Sequence, residues 1–132
     1  MSKYIGFDGV KGIAQEFEVG GFRSYYYGEH KEPEALPPDF PTDEQIIVAA
    51  YEHEGYEGSA FVLFEREGKL FEAHGSHCSC YGLEDQWSPE ETTPEALRMR
   101  LETGDYGVVN TDAVKALIRA YLENVPSAYQ GA

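Results

Sequence analysis

The sequence predicts an α+β domain: an antiparallel sheet centred on a hairpin at about residues 46–74, with C-terminal helices packed on one face. Three observations predict it. Two apolar runs, Ala60 to Glu65 and Leu70 to His74, flank the charged turn Arg66-Glu67-Gly68-Lys69, which is a hairpin pattern. Val114, Leu117, Ile118, Tyr121, Leu122 and Val125 recur at three- and four-residue intervals and draw one apolar stripe on a helix. Strands come first and helices follow, an order that disfavours an alternating, parallel α/β design.

The opening stretch, to about Tyr27, is broken by Gly6, Gly9, Gly12, Gly20 and Gly21. A short turn of helix is expected from Ile13 to Phe17. The aromatic run Phe22 to Tyr27 suits a pleated strand. Pro33, Pro37, Pro38 and Pro41 make Glu29 to Pro41 an extended loop. Thr42-Asp43-Glu44-Gln45 has the form of a helix capping box, but Ile46-Ile47-Val48-Ala49-Ala50-Tyr51 is β-branched and apolar, so a buried strand is expected there. A turn follows at Glu54 to Gly58. In the next strand Phe61 and Leu63 alternate with Val62 and Phe64, so both faces of the hairpin are expected to be covered.

Downstream, Thr92-Thr93-Pro94-Glu95 supplies a capping hydroxyl, a first-turn proline and an acid at the positive end of a helix dipole. That helix should run through Ala96 to Leu101 and stop by Gly104. The final helix follows Thr111-Asp112 and ends at Pro126, and residues 127–132 are expected to fray.

With 132 residues, one domain spanning 1–132 is expected, since two cores would each be marginal at this size. There are 24 Asp and Glu against 10 Lys and Arg, a formal net charge of −14. Such a chain repels nucleic-acid phosphates and anionic headgroups, and it favours a basic protein surface or a cation as partner. Two readings follow from the acidity: it keeps a small protein soluble, or it imitates the charge of DNA on one face. No apolar run approaches the roughly 20 residues of a membrane span. The segment from Met1 to Gly6 lacks the apolar core of a signal peptide, so a cytoplasmic location is expected.

The one dense cluster of reactive side chains runs from His74 to Asp85. His74, His77, Cys78 and Cys80 form a nitrogen and sulfur donor set suited to zinc, although a single short segment would have to wrap the ion alone. A nucleophilic Cys78 or Cys80 with a histidine base is a second reading. Small buried thiols beside half-exposed histidines are the plainest. Glu84, Asp85, Glu90, Glu91 and Glu95 surround Trp87, the chain's single tryptophan. They read either as a solvated acidic loop or as a contact patch in which Trp87 anchors a basic partner. Phosphate-binding, nucleophile-elbow, zinc-protease and dinucleotide signatures are all missing, as is any basic patch for nucleic acid.

The segment from Tyr56 to Arg100 resembles a recurring set of small uncharacterised proteins of tailed bacteriophages. The likeness is carried by Tyr56-Glu57-Gly58, Phe64-Glu65-Arg66, Gly68-Lys69-Leu70 and His77-Cys78-Ser79-Cys80-Tyr81-Gly82-Leu83-Glu84. Gln86-Trp87, Pro89-Glu90-Glu91-Thr92 and Glu95-Ala96-Leu97 extend it. The resemblance implies a phage origin and action in the cytoplasm of an infected bacterium, and it supplies no activity or catalytic residues. The expectation is an accessory protein that works by binding, an acidic inhibitor of a host defence or nucleic-acid-binding protein, with no cofactor. The alternatives are a metal- or cysteine-dependent enzyme or small-ligand binder using His74 to Cys80, or a component of the virion.

Overall fold

The computed structural model describes residues 3–19, 36–54, 57–77, 83, 86–103 and 112–124, with the backbone alone at 53, 54, 57, 77 and 103. The elements are β1 (Tyr4–Ile5), α1 (Val10–Phe17), β2 (Ile46–Glu54), β3 (Glu57–Arg66), β4 (Lys69–His77), β5 (Glu90–Thr92), α2 (Pro94–Thr103) and α3 (Asp112–Glu123). The expected strand at 22–27, most of the proline-rich loop, the end of the last helix and its frayed tail lie outside these residues.

The strands form one sheet in the order β1-β2-β3-β4-β5. Three of its ladders are antiparallel, and the fold is α+β with two C-terminal helices, as the sequence predicts. The exception is the edge, where β1 runs parallel to β2 with Tyr4 opposite Ala49 and Ile5 opposite Ala50. Two residues are too short a run to show a period, which is why sequence patterning misses them.

One half of the capping box at Thr42 forms, and it closes only a single turn. Gln45 Oε1 accepts the Thr42 N–H at 3.0 Å, while the Thr42 carbonyl accepts the N–H groups of Gln45 and Ile46. The chain then enters β2, because the residues that follow are β-branched and both faces of the sheet are available to bury them. A bulge near the start of β2 shifts the register between Ile46, opposite Phe64, and Val48, opposite Leu63. It turns Ile47 and Val48 to the same side of the sheet.

Both faces of the central strand are covered. Val62 and Phe64 join Ile13, Ala14 and Phe17 of α1, with Ala49, Ala73 and Leu83, in one core. Phe61 and Leu63 join Val48, Ala50 and Leu70 with Leu97 of α2 and Val114, Ile118 and Leu122 of α3 in the other. α1 is longer than expected by one turn and is the cover of the first face. Gly75 on that face admits it closely: a Cβ there would stand 2.9 Å from Leu83 and 3.0 Å from Phe17. No helix among the described residues is long and apolar enough to cross a membrane.

Candidate functional site

On β4, residues at even positions face α2 and α3. Glu72 pairs across with Leu63 and His74 with Phe61, both of which belong to the core on that side. Glu72 is therefore carried into an apolar layer and is only 6% exposed, the one charged side chain buried among the described residues. A carboxylate in such a place needs partners, since its desolvation is otherwise costly.

Two elements supply them. Arg100 of α2 donates Nη1 to Oε1 at 2.5 Å and Nη2 to Oε2 at 2.6 Å, a two-pronged pairing whose planar geometry suits guanidinium and carboxylate. Nη2 also reaches the Thr92 hydroxyl of β5 at 3.5 Å. His74 Nε2 stands 2.7 Å from Glu72 Oε1. Burial by itself pushes the Glu72 carboxyl up. The hydrogen bonds from His74 and Arg100 and the Arg100 charge outweigh it, and the carboxyl ends lowered to about 2.

An ionised carboxylate only accepts hydrogen bonds, so His74 Nε2 carries the proton, and in the neutral ring Nδ1 is the acceptor. The imidazole is held edge-on to Phe61, with centroids 5.1 Å apart, and its side chain is 36% exposed. The cluster thus fixes one imidazole nitrogen on a buried carboxylate beside the Arg100 guanidinium, while part of the ring stays at the surface.

The other residues singled out from the sequence fall in three groups. Glu90 and Glu91 are exposed on the edge strand β5, and Glu95 is exposed in the first turn of α2. The Thr93 hydroxyl caps that helix by accepting the Ala96 N–H at 3.1 Å. Trp87 adjoins these acids in sequence, but its half-buried ring packs against Phe40 at 4.8 Å, Phe17 at 5.2 Å and Phe64 at 6.1 Å. An anchoring role for Trp87 has to use the part of the indole left at the surface. Glu84, Asp85, Cys78 and Cys80 lie outside the described residues, and His77 is described by backbone alone, opposite Gly58. Among the described residues no group of three or more His, Cys, Asp or Glu could hold a metal ion.

Sequence reasoning passed over Glu72, Thr92 and Arg100 as a unit. A signal for Glu72 was present, because alternation puts it between Leu70 and His74 on a strand expected to be covered on both faces. Nothing in the spacing identified Arg100, 28 positions away, as its partner.

Comparison with known proteins gives no family model, no curated protein and no solved structure that matches this chain.

Proposed function

We propose that the protein acts by binding, as a phage accessory inhibitor whose acidic surface engages a basic surface on a host defence or nucleic-acid-binding protein. One observation supports this reading: among the described carboxylates only Glu72 is fully buried, so the others keep part or all of their surface in solvent. Glu90, Glu91 and Glu95, three acids of the proposed contact patch, stand exposed on an edge strand and the helix that follows it, which supports the reading. Complementary charge speeds encounter and suppresses wrong partners, which suits an inhibitor working in a crowded cytoplasm. The phage resemblance of residues 56–100 supports the setting.

Affinity capture from host lysate, repeated across a salt series, tests the proposal. A basic host protein should be retained at low salt and released as screening grows. Replacing Glu90, Glu91 and Glu95 by lysine should abolish the retention. Binding that is indifferent to salt and to these reversals would falsify the electrostatic reading.

A second reading is favoured by the Glu72–His74 pair, since a carboxylate that fixes one imidazole nitrogen is the usual support for a ring whose other nitrogen binds a metal or moves a proton. In it, His74 acts with His77, Cys78 and Cys80 on zinc or as a thiol centre. Elemental analysis of purified protein separates the two: stoichiometric zinc, lost together with activity in the Cys78→Ser/Cys80→Ser variant, would displace the inhibitor reading.

A further inference from the structure

We infer that α2 opens from the sheet as a unit while the sheet stays folded, and that the Glu72–Arg100 pair is the catch that holds it shut. This goes beyond the binding proposal and does not depend on it.

The inference starts from how differently the two C-terminal helices are held. α3 buries Val114, Ile118 and Leu122 along its whole length, so freeing it means stripping three apolar side chains from the core. Of the apolar side chains of α2, Pro94 at its amino end and Leu97 are buried. Leu101 is partly covered, and Met99 is 62% exposed. With so little apolar anchorage, directional contacts decide where α2 sits. One of these is the guanidinium fork of Arg100 on Glu72, near the carboxyl end of the helix.

The catch is also well made for its task. Its acceptor is anchored on a paired strand, in a ladder with both β3 and β5, and is held from the other side by His74. The carboxylate thus has a second donor when Arg100 leaves, which lowers the cost of the open state relative to a bare buried charge. Opening bares Glu72 and the seat of Leu97 beside the core formed by Phe61, Leu63 and Leu70. Elements with few buried apolar contacts are the ones that open locally at less than the global unfolding free energy.

Native-state hydrogen exchange of the full chain tests this. In the unmodified protein, amides from Leu97 to Glu102 should exchange faster than those of Phe61 to Phe64, and with a weaker dependence on added denaturant. Arg100→Gln should speed the α2 amides at least tenfold with their weak denaturant dependence unchanged, and the β3 amides by no more than that factor, because the pair is broken in both open states. Glu72→Gln/Arg100→Gln should add little to the single Arg100 change, which shows that the effect runs through the pair. Should Arg100→Gln fail to fold, the unmodified protein decides alone. The inference is overturned if α2 and β3 amides exchange with one common rate and denaturant dependence, or if the variant accelerates the β3 amides and leaves those of α2 unchanged.

Discussion

Glu72 and Arg100 meet across 28 positions of sequence through two parallel hydrogen bonds, at the border of the apolar layer between the sheet and the two C-terminal helices. This joins β4 to α2 through a charge that must stay ionised, and stability should follow its titration. The folded carboxyl is lowered to about 2 from an ordinary value of 4.5. Its contribution is therefore complete above the ordinary value, falls as pH drops toward 2, and is gone below that. By linkage the amount at stake is about 3 kcal/mol. Urea unfolding from pH 6 to pH 2 should show this loss, and Glu72→Gln should flatten that part of the profile. The same substitution leaves Arg100 with a weaker acceptor and should cost about 3 kcal/mol or more at neutral pH.

The turn between β3 and β4 contains a correctable strain. Arg66 pairs with Lys69, and the two residues between them, Glu67 and Gly68, both have positive φ, 53° and 76°. This is the two-residue geometry that asparagine-glycine fills best. Glu67→Asn should raise the unfolding free energy by about 0.5–1 kcal/mol, measured by thermal melting, because the left-handed conformation is less costly for asparagine.

Gly6 sits where no side chain fits. Its φ is 81°, and a Cβ would stand 2.3 Å from the Tyr51 carbonyl oxygen. Gly6→Ala should destabilise by at least about 2 kcal/mol through strain and displacement of β1 from β2. Urea unfolding checks the magnitude.

Beyond β5, the outer edge of β4 is continued by a side chain. Gln86 Oε1 accepts the Ser76 N–H at 2.8 Å and Gln86 Nε2 donates to the Ser76 carbonyl at 2.7 Å, the two bonds a neighbouring strand would make. Gln86→Ala should cost about 1–1.5 kcal/mol. Gln86→Glu keeps the acceptor but sets an oxygen against a carbonyl oxygen, and it should cost at least as much.

Trp87 reports on the opposite face. As the single tryptophan, packed on Phe17 and Phe40, it should emit at shorter wavelength when folded and shift to the red on unfolding. Trp87→Ala should cost about 2–4 kcal/mol by removing the aromatic contacts that tie β3 to α1 and Phe40.

Legibility in the sequence followed the range of the forces involved. The hairpin around Gly68, the strand from Ile46, the cap at Thr93 and the stripe of α3 are set by alternation, helical period and turn chemistry, and each can be read within a dozen residues. The Thr42 capping box was legible too, but its outcome was decided by the β-branched run behind it. Tyr4–Ile5 was not, because a two-residue strand takes its identity from β2. The candidate site was legible only in part. His74 stood out by type, and the surface acids by abundance, but the inward turn of Trp87 and the unit Glu72–His74–Arg100 did not.

By itself the sequence determined the α+β class, the central hairpin and an overall surplus of negative charge, because these depend on local periodicity and on counting. The tertiary structure alone decided which carboxylate is buried, which arginine answers it and which aromatic ring is turned into the core. Those outcomes depend on residues that become neighbours only once the sheet has registered and the helices have settled on its two faces.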